Sequence, residues 1–313
     1  MPGSPNPAAR APADPVALAQ LAANPSAAFV GIDVGEDFLD LAIVSPPTRS
    51  LRFARVALAG LSGQASAALA HRIIEAVPEF DVHTVAMVDS PRWPCDLDWS
   101  RFERTGELQY REPPPRGREL DGLLRQIYRE LIGPRVRGTP ARGLSMFPTP
   151  PVAHFLRWMN DPRCKPHLRA IALELFGRVR CDSDRAASGG TFTRFMLAGF
   201  ATYRALGLLE VPAFEAYPDL QLRLSSPATQ LPPKRSAGGR ETRRRIVAAL
   251  ASGLAIRGAP RPATLDEADA AALALAAADA ARRGALGVLS NSCEGRFLLA
   301  LDAAQSRRIR RRA

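Results

Sequence analysis

Ala28-Phe29-Val30-Gly31-Ile32-Asp33 is the stretch on which the fold turns. A run of apolar, β-prone residues closed by an acid predicts a buried strand with a carboxylate at its carboxyl end. Val34-Gly35-Glu36-Asp37 follows as a turn, and Phe38 to Val44 predicts a second strand. Ser45-Pro46-Pro47-Thr48 is another turn, before a third strand over Leu51 to Leu58 whose Arg52 and Arg55 mark an exposed side. Links this short make antiparallel neighbours. Leu61 to Ala76 predicts a helix with Leu69, Ile73, Ile74 and Val77 on one side. Thr84-Val85-Ala86-Met87-Val88-Asp89 is again an apolar run ended by an acid, the pattern of a central strand covered on both faces. The intervening helix supplies the crossover that a parallel pairing with the first strand needs.

Beyond Pro91 the sheet pattern stops. Trp93, Pro94 and the prolines at 113–115 interrupt it, and helical patterns follow at 117–132, 152–159, 166–178 and 191–206. Residues 92–207 therefore predict a mainly helical insertion. A strand resumes over Leu208 to Tyr217, where Pro212 cannot donate a ladder hydrogen bond and puts the strand's start late or near an edge. A basic helix over Glu241 to Ser252, an alanine-rich helix over Leu265 to Arg283 ended by Gly284, and a short strand over Arg296 to Leu301 complete the pattern. The expected organisation is a Pro/Ala-rich disordered leader (1–26), an α/β domain (27–91 plus 208–303), the insertion (92–207) and a basic tail (304–313).

The chain has 313 residues, enough for one large α/β domain with an insertion or for two modest domains. It is 46% hydrophobic and 23% charged, an ordinary globular balance that argues against a wholly disordered chain. No apolar run reaches the roughly 18 residues of a membrane span, so no membrane partner is expected. The opening Met1 to Pro15 lacks the apolar core of a secretory signal. Cys95, Cys164, Cys181 and Cys293 are scattered without a paired motif. They predict reduced thiols in a cytoplasmic protein rather than a zinc or redox site. His71, His83, His154 and His167 form no ligand set. The net charge of +11 suits a polyanion such as DNA or RNA. Only Lys165 and Lys234 are lysines, so arginine carries nearly all of that charge.

Chemistry gathers at the strand ends. Asp33 and Asp89 close two buried strands, and Glu215 lies near the end of a third. In open α/β sheets, ligands bind outside the carboxyl ends of the parallel strands. Asp266 and Asp269 stand three apart on the alanine-rich helix, on the face that carries Leu265, Ala272 and Ala276. Carboxylates gathered in a protein interior need a cation, and hard oxygen ligands suit Mg²⁺ or Mn²⁺. Singly, each acid has a plainer use: Asp33 can begin a turn, and Asp266 can cap its helix. Lys234, Arg235, Arg240, Arg243, Arg244 and Arg245 lie before and within the basic helix. They suit either phosphate contacts or a solvated face, as do Arg116, Arg118, Arg125 and Arg129.

Strand, hairpin, hairpin, helix and strand in this order resemble the ribonuclease H-like superfamily, with its mixed sheet of order 3-2-1-4-5 flanked by helices. More narrowly, the chain resembles domain-of-unknown-function family 429, described as predicted ribonuclease H-like nucleases. The matching pieces run from residue 28 to about 301. They are Gly31-Ile32-Asp33, Val88-Asp89-Ser90-Pro91, Ser145-Met146-Phe147-Pro148-Thr149-Pro150-Pro151, Phe214-Glu215-Ala216-Tyr217-Pro218, Lys234-Arg235 with Gly238 and Arg240, and the helix with Asp266 and Asp269. The resemblance implies a metal-dependent nuclease with Asp33, Glu215 and Asp269 as core ligands, supported by Asp89 and Asp266. Lys234, Arg235, Arg240 and Arg244 would hold the nucleic-acid backbone. Tyr217 departs from the family's usual histidine, and Arg235 from a second lysine.

Two other readings compete. Gly31-Ile32-Asp33-Val34-Gly35 and Ser188-Gly189-Gly190-Thr191 resemble phosphate loops of actin-like and sugar-kinase-type ATP-dependent phosphotransferases. Glu36 and Asp37 beside the first loop would repel a phosphate. The third reading is a nucleic-acid-binding module that kept the fold without catalysis.

Overall fold

The computed structural model describes residues 27–61, 64–80, 83–90, 162–176, 191–226, 231–291, 295–302 and 305. The expected leader, most of the insertion and most of the basic tail lie outside the described residues. So do the Ser145–Pro151 loop, the Ser188–Gly190 segment, and Arg116, Arg118, Arg125 and Arg129.

Three strands open the chain: β1 (Phe29–Val34), β2 (Phe38–Ser45) and β3 (Ser50–Ala57). They pair antiparallel in sequence order, as their short turns require. Helix α1 (Ala65–Ala76) then returns the chain so that β4 (Val85–Asp89) lies parallel to β1. Helices α2 (Pro166–Phe176) and α3 (Thr191–Leu208) precede β5 (Ala213–Glu215), which lies parallel to β4. Helices α4 (Pro218–Leu224), α5 (Ala237–Gly253) and α6 (Leu265–Arg282) follow, and β6 (Leu286–Asn291) and β7 (Gly295–Ala300) close the sheet. The result is an α/β fold on a mixed seven-stranded sheet of order β3-β2-β1-β4-β5-β7-β6.

Five strands stand in the expected order 3-2-1-4-5, and two more extend it. β5 is shorter and later than the stretch from Leu208 to Tyr217 predicted, because α3 runs through Leu208. Pro212 stands just ahead of β5, where its carbonyl accepts from Ala86 N (2.9 Å) and its missing N–H costs nothing. β5 is not at an edge; β4 and β7 flank it.

The strands' alternation divides the core in two. Val30, Ile32, Leu39, Leu41, Ala86 and Val88 pack on one face with Leu69 and Ile73 of α1, Leu168 and Ile171 of α2, and Leu197 and Phe200 of α3. Helices from the C-terminal end of the expected insertion thus belong to the sheet's own core. Phe29, Ala42, Val44, Val85, Met87 and Phe214 pack on the other face with α5 and α6. Every residue of α6 from Ala268 to Ala278 is buried. Alanine is what lets this helix lie so close. A Cβ on Gly31 would sit 1.9 Å from the Ala270 carbonyl oxygen, so β1 tolerates only glycine there. No helix among the described residues is long and apolar enough to cross a membrane.

Candidate functional site

Gly31 faces α6, and Asp33, two residues on, shares its face of the sheet. Asp33 stands in register with Asp89 on β4, and on its other side with Asp40 on β2. A row of carboxylates therefore crosses three adjacent strands beneath the N-terminal part of α6. Its outer member is neutralised, since Arg55 on β3, in register with Asp40, donates Nε to Asp40 Oδ1 at 2.8 Å. The inner pair, Asp33 and Asp89, hydrogen-bond to each other and feel the charge of Asp269 on α6.

Asp269 is the pivot. Its side chain is only 6% exposed, and Lys234 Nζ stands 2.5 Å from its Oδ2. The same ammonium lies 3.8 Å from Asp266 Oδ1, at the half-exposed rim. From below, Arg243 Nε comes within 3.8 Å of Asp269 Oδ1. Neither of those last two atoms has a hydrogen-bond partner, although both are buried.

Local sequence explains this placement. Thr264 caps α6: its Oγ1 accepts from Glu267 N (3.0 Å), while Glu267 Oε2 accepts from Thr264 N (3.3 Å), a reciprocal capping box. That fixes the first turn, from which Asp266 and Asp269 project. Ser236 caps α5 by accepting from Gly239 N (2.9 Å), and its own hydroxyl donates to the Pro233 carbonyl (2.9 Å). A Cβ on Gly239 would meet that carbonyl at 2.0 Å. The turn carrying Lys234 is thus clamped between Pro233 and α5. At the end of β4, Tyr203 of α3 donates its hydroxyl to the Ser90 carbonyl (2.9 Å) and anchors the segment next to Asp89.

Burial dominates the electrostatics. It holds the Asp33 carboxyl well above the usual carboxylate range, and the charges of Asp89 and Asp269 raise it further. Burial, then the Asp269 charge, pushes Asp89 up to about 8, against the opposing pull of Lys234 and of the hydrogen bond with Asp33. Asp269 is raised by burial too, with Lys234 and Arg243 opposing. Burial works against the Lys234 ammonium, but Asp269, Asp33 and Asp89 outweigh it and strengthen its hold on its proton.

Glu215 is buried but stands in register with Val88, which packs on the opposite face from Met87 and Asp89. Its charge reaches Asp89 after those of Asp269 and Lys234. The expected basic set also divides. Arg235 and Arg240 are exposed and, with Lys234, Thr264 and Asp266, line an open groove of about 470 Å³. Arg244 instead donates to the carbonyls of Pro262 (3.1 Å) and Ala263 (3.0 Å), bracing the loop before α6. Arg243 is buried and held by Asp219 Oδ1 at 3.1 Å. Asp40 and Arg243 were the residues hardest to single out from sequence. Asp40 interrupts an apolar strand, and Arg243 lies on the same helical stripe as buried Ile246 and Val247.

As the side chains stand, no group of three or more His, Cys, Asp or Glu among the described residues is disposed to hold a metal ion. The cations in contact with Asp269 are the Lys234 ammonium and, farther off, the Arg243 guanidinium. The donor chemistry nevertheless fits a hard divalent ion: all the acids offer oxygen, and Asp269 Oδ1 is buried without a hydrogen-bond partner. No protein-family model, curated protein or solved structure matches this chain.

Proposed function

We propose that the protein is a metal-dependent nuclease of ribonuclease H-like architecture, acting on phosphodiester bonds of nucleic acid. The observation that carries this reading is the convergence of Asp33, Asp89 and Asp269, from β1, β4 and α6, beside a groove lined by Arg235 and Arg240. Three antiparallel strands followed by two parallel ones, with acids at the first and fourth strand ends and on a late helix, support the same class. Asp33, Asp89 and Asp269 would hold Mg²⁺ or Mn²⁺, with Asp266 at the rim. Such an ion supplies Lewis-acid stabilisation of the charge that develops on a phosphodiester under attack by water.

The chain's own residues do the rest. Arg235 and Arg240 take the phosphate oxygens of the substrate backbone, and Arg244 keeps the loop before α6 in place. Arg243 fixes Asp269 from below. Tyr217 beside them keeps its phenol neutral, through burial and then the charge of Asp219. Glu215 acts on Asp89 through its charge. The turn that an ATP-dependent phosphotransferase would use carries Glu36 and Asp37, engaged by Lys165, His167 and Arg194. Acids held there oppose phosphate binding.

The test is a substrate panel of single- and double-stranded DNA, RNA and branched DNA with Mg²⁺ or Mn²⁺. Cleavage by the natural chain is expected to fall at least ~100-fold in Asp269→Asn, or about 2.7 kcal/mol of barrier. Equal cleavage by both chains, or cleavage that survives a chelator, contradicts the proposal.

A further inference from the structure

We propose that Lys234 is a displaceable internal cation: its ammonium holds the place of the divalent ion at Asp269 and swings into the groove when the ion arrives. This rests on the reading that Asp33, Asp89 and Asp269 form a metal centre.

Two cations serve Asp269, and they differ in freedom. Arg243 is 3% exposed, bound to Asp219 and near the carbonyls of Pro232 and Gly239, so it has nowhere to go. Lys234 is 42% exposed while its partner Asp269 is 6% exposed. The acid is therefore fixed and the lysine stands at the mouth. Its backbone is clamped by the Ser236 cap and the close approach of Gly239, so release needs only rotation about its four-carbon stem. The way out is the groove that Lys234 itself lines with Arg235 and Arg240.

A divalent ion on Asp269 and an ammonium 2.5 Å from the same carboxylate would repel each other strongly. The two occupancies exclude one another. Asp269 Oδ1 is buried without a hydrogen-bond partner and faces Arg243 Nε at 3.8 Å, while Lys234 at Oδ2 closes the groove side of the same carboxylate. Once released, the ammonium faces the side from which a phosphate backbone would approach. Ion loading and substrate binding then reinforce each other, because the phosphate takes up the charge that the ion displaces.

The chain's two lysines make the event observable, since ¹³Cε-lysine labelling of the whole protein gives only two side-chain signals. Lys165, paired with Glu36 and Asp37 away from the groove, is the internal reference. Titration with Mg²⁺ is expected to move the Lys234 signal toward that of free lysine and to leave Lys165 in place. In parallel, the free-Mn²⁺ resonance gives affinities. Lys234→Met is expected to bind Mn²⁺ about tenfold more tightly than the natural chain, and Asp269→Asn to lose binding.

If the natural chain binds Mn²⁺ while the Lys234 signal stays still and Lys234→Met binds no more tightly, the displacement proposal is overturned and the metal centre stands. If neither the natural chain nor Lys234→Met binds the ion, both ideas fall. Should Lys234→Met lose its circular-dichroism signature, the titration of the natural chain decides alone.

Discussion

Asp89 illustrates how a buried carboxyl works against the fold that holds it. Its carboxyl is pushed up from 3.8 to about 8, first by burial and then by Asp269. The folded value lies above the unfolded one, so the stability it contributes is full below about 3.8 and is lost as pH rises toward 8. Calorimetry of the metal-free protein should show this loss between those limits. Asp89→Asn should flatten the fall and raise the melting temperature at pH 8; a pH profile unchanged by the substitution contradicts the assignment. Gly31 is decided by contact alone. Gly31→Ala would drive its Cβ into the Ala270 carbonyl, and urea denaturation should register a loss of at least ~2 kcal/mol. Asp33 and Asp89 were legible in the sequence because each closes an apolar run. Arg243 was not, because it stands in a run with Arg244 and Arg245 and only the helical period separates the buried one from its neighbours.

Elements carry the site into register. The capping box of Thr264 and Glu267 holds the first turn of α6, so Thr264→Ala should cost about 1 kcal/mol in denaturant titration. An unchanged midpoint would mean that packing alone holds that turn. β1, β2, β3, α1, β4, α5, α6 and β7 were visible from their apolar periods and turn residues. Two elements were hidden. α4 places Leu220, Leu222 and Leu224 at alternate positions, a period that suggests a strand, and only Pro218 at its first turn marks a helix. β6 begins two residues after Gly284 and carries Gly287 within it, so its sequence looks like a loop after α6. Gly287 is the strand's accommodation to a neighbour, since a Cβ there would meet Leu301 Cδ1 at 3.1 Å.

At the scale of the molecule, the charge of +11 and the exposed Arg235 and Arg240 predict salt-sensitive binding to nucleic acid. Arg240→Ala should lower the slope of log affinity against log salt by about 1, measured by fluorescence anisotropy in Ca²⁺ or metal-free buffer. Asp269→Asn, which frees Lys234 toward the groove, should steepen that slope instead. A slope insensitive to Arg240 would move the interface elsewhere on the surface. Composition announced the basic surface but not its division of labour. Lys234 and Arg243 turn inward to acids, Arg244 braces a loop, and Arg235 and Arg240 face the groove. That division depends on α5 and α6 lying side by side, a long-range arrangement that no local pattern contains.

The central claim is that Asp33, Asp89 and Asp269 share one cation. Anomalous diffraction from crystals of the protein equilibrated with Mn²⁺ tests it most directly. The account predicts a manganese peak bounded by those three carboxylates, with Lys234 turned away from Asp269. Saturating Mn²⁺ with no peak there, and Lys234 still seated on Asp269, would contradict it.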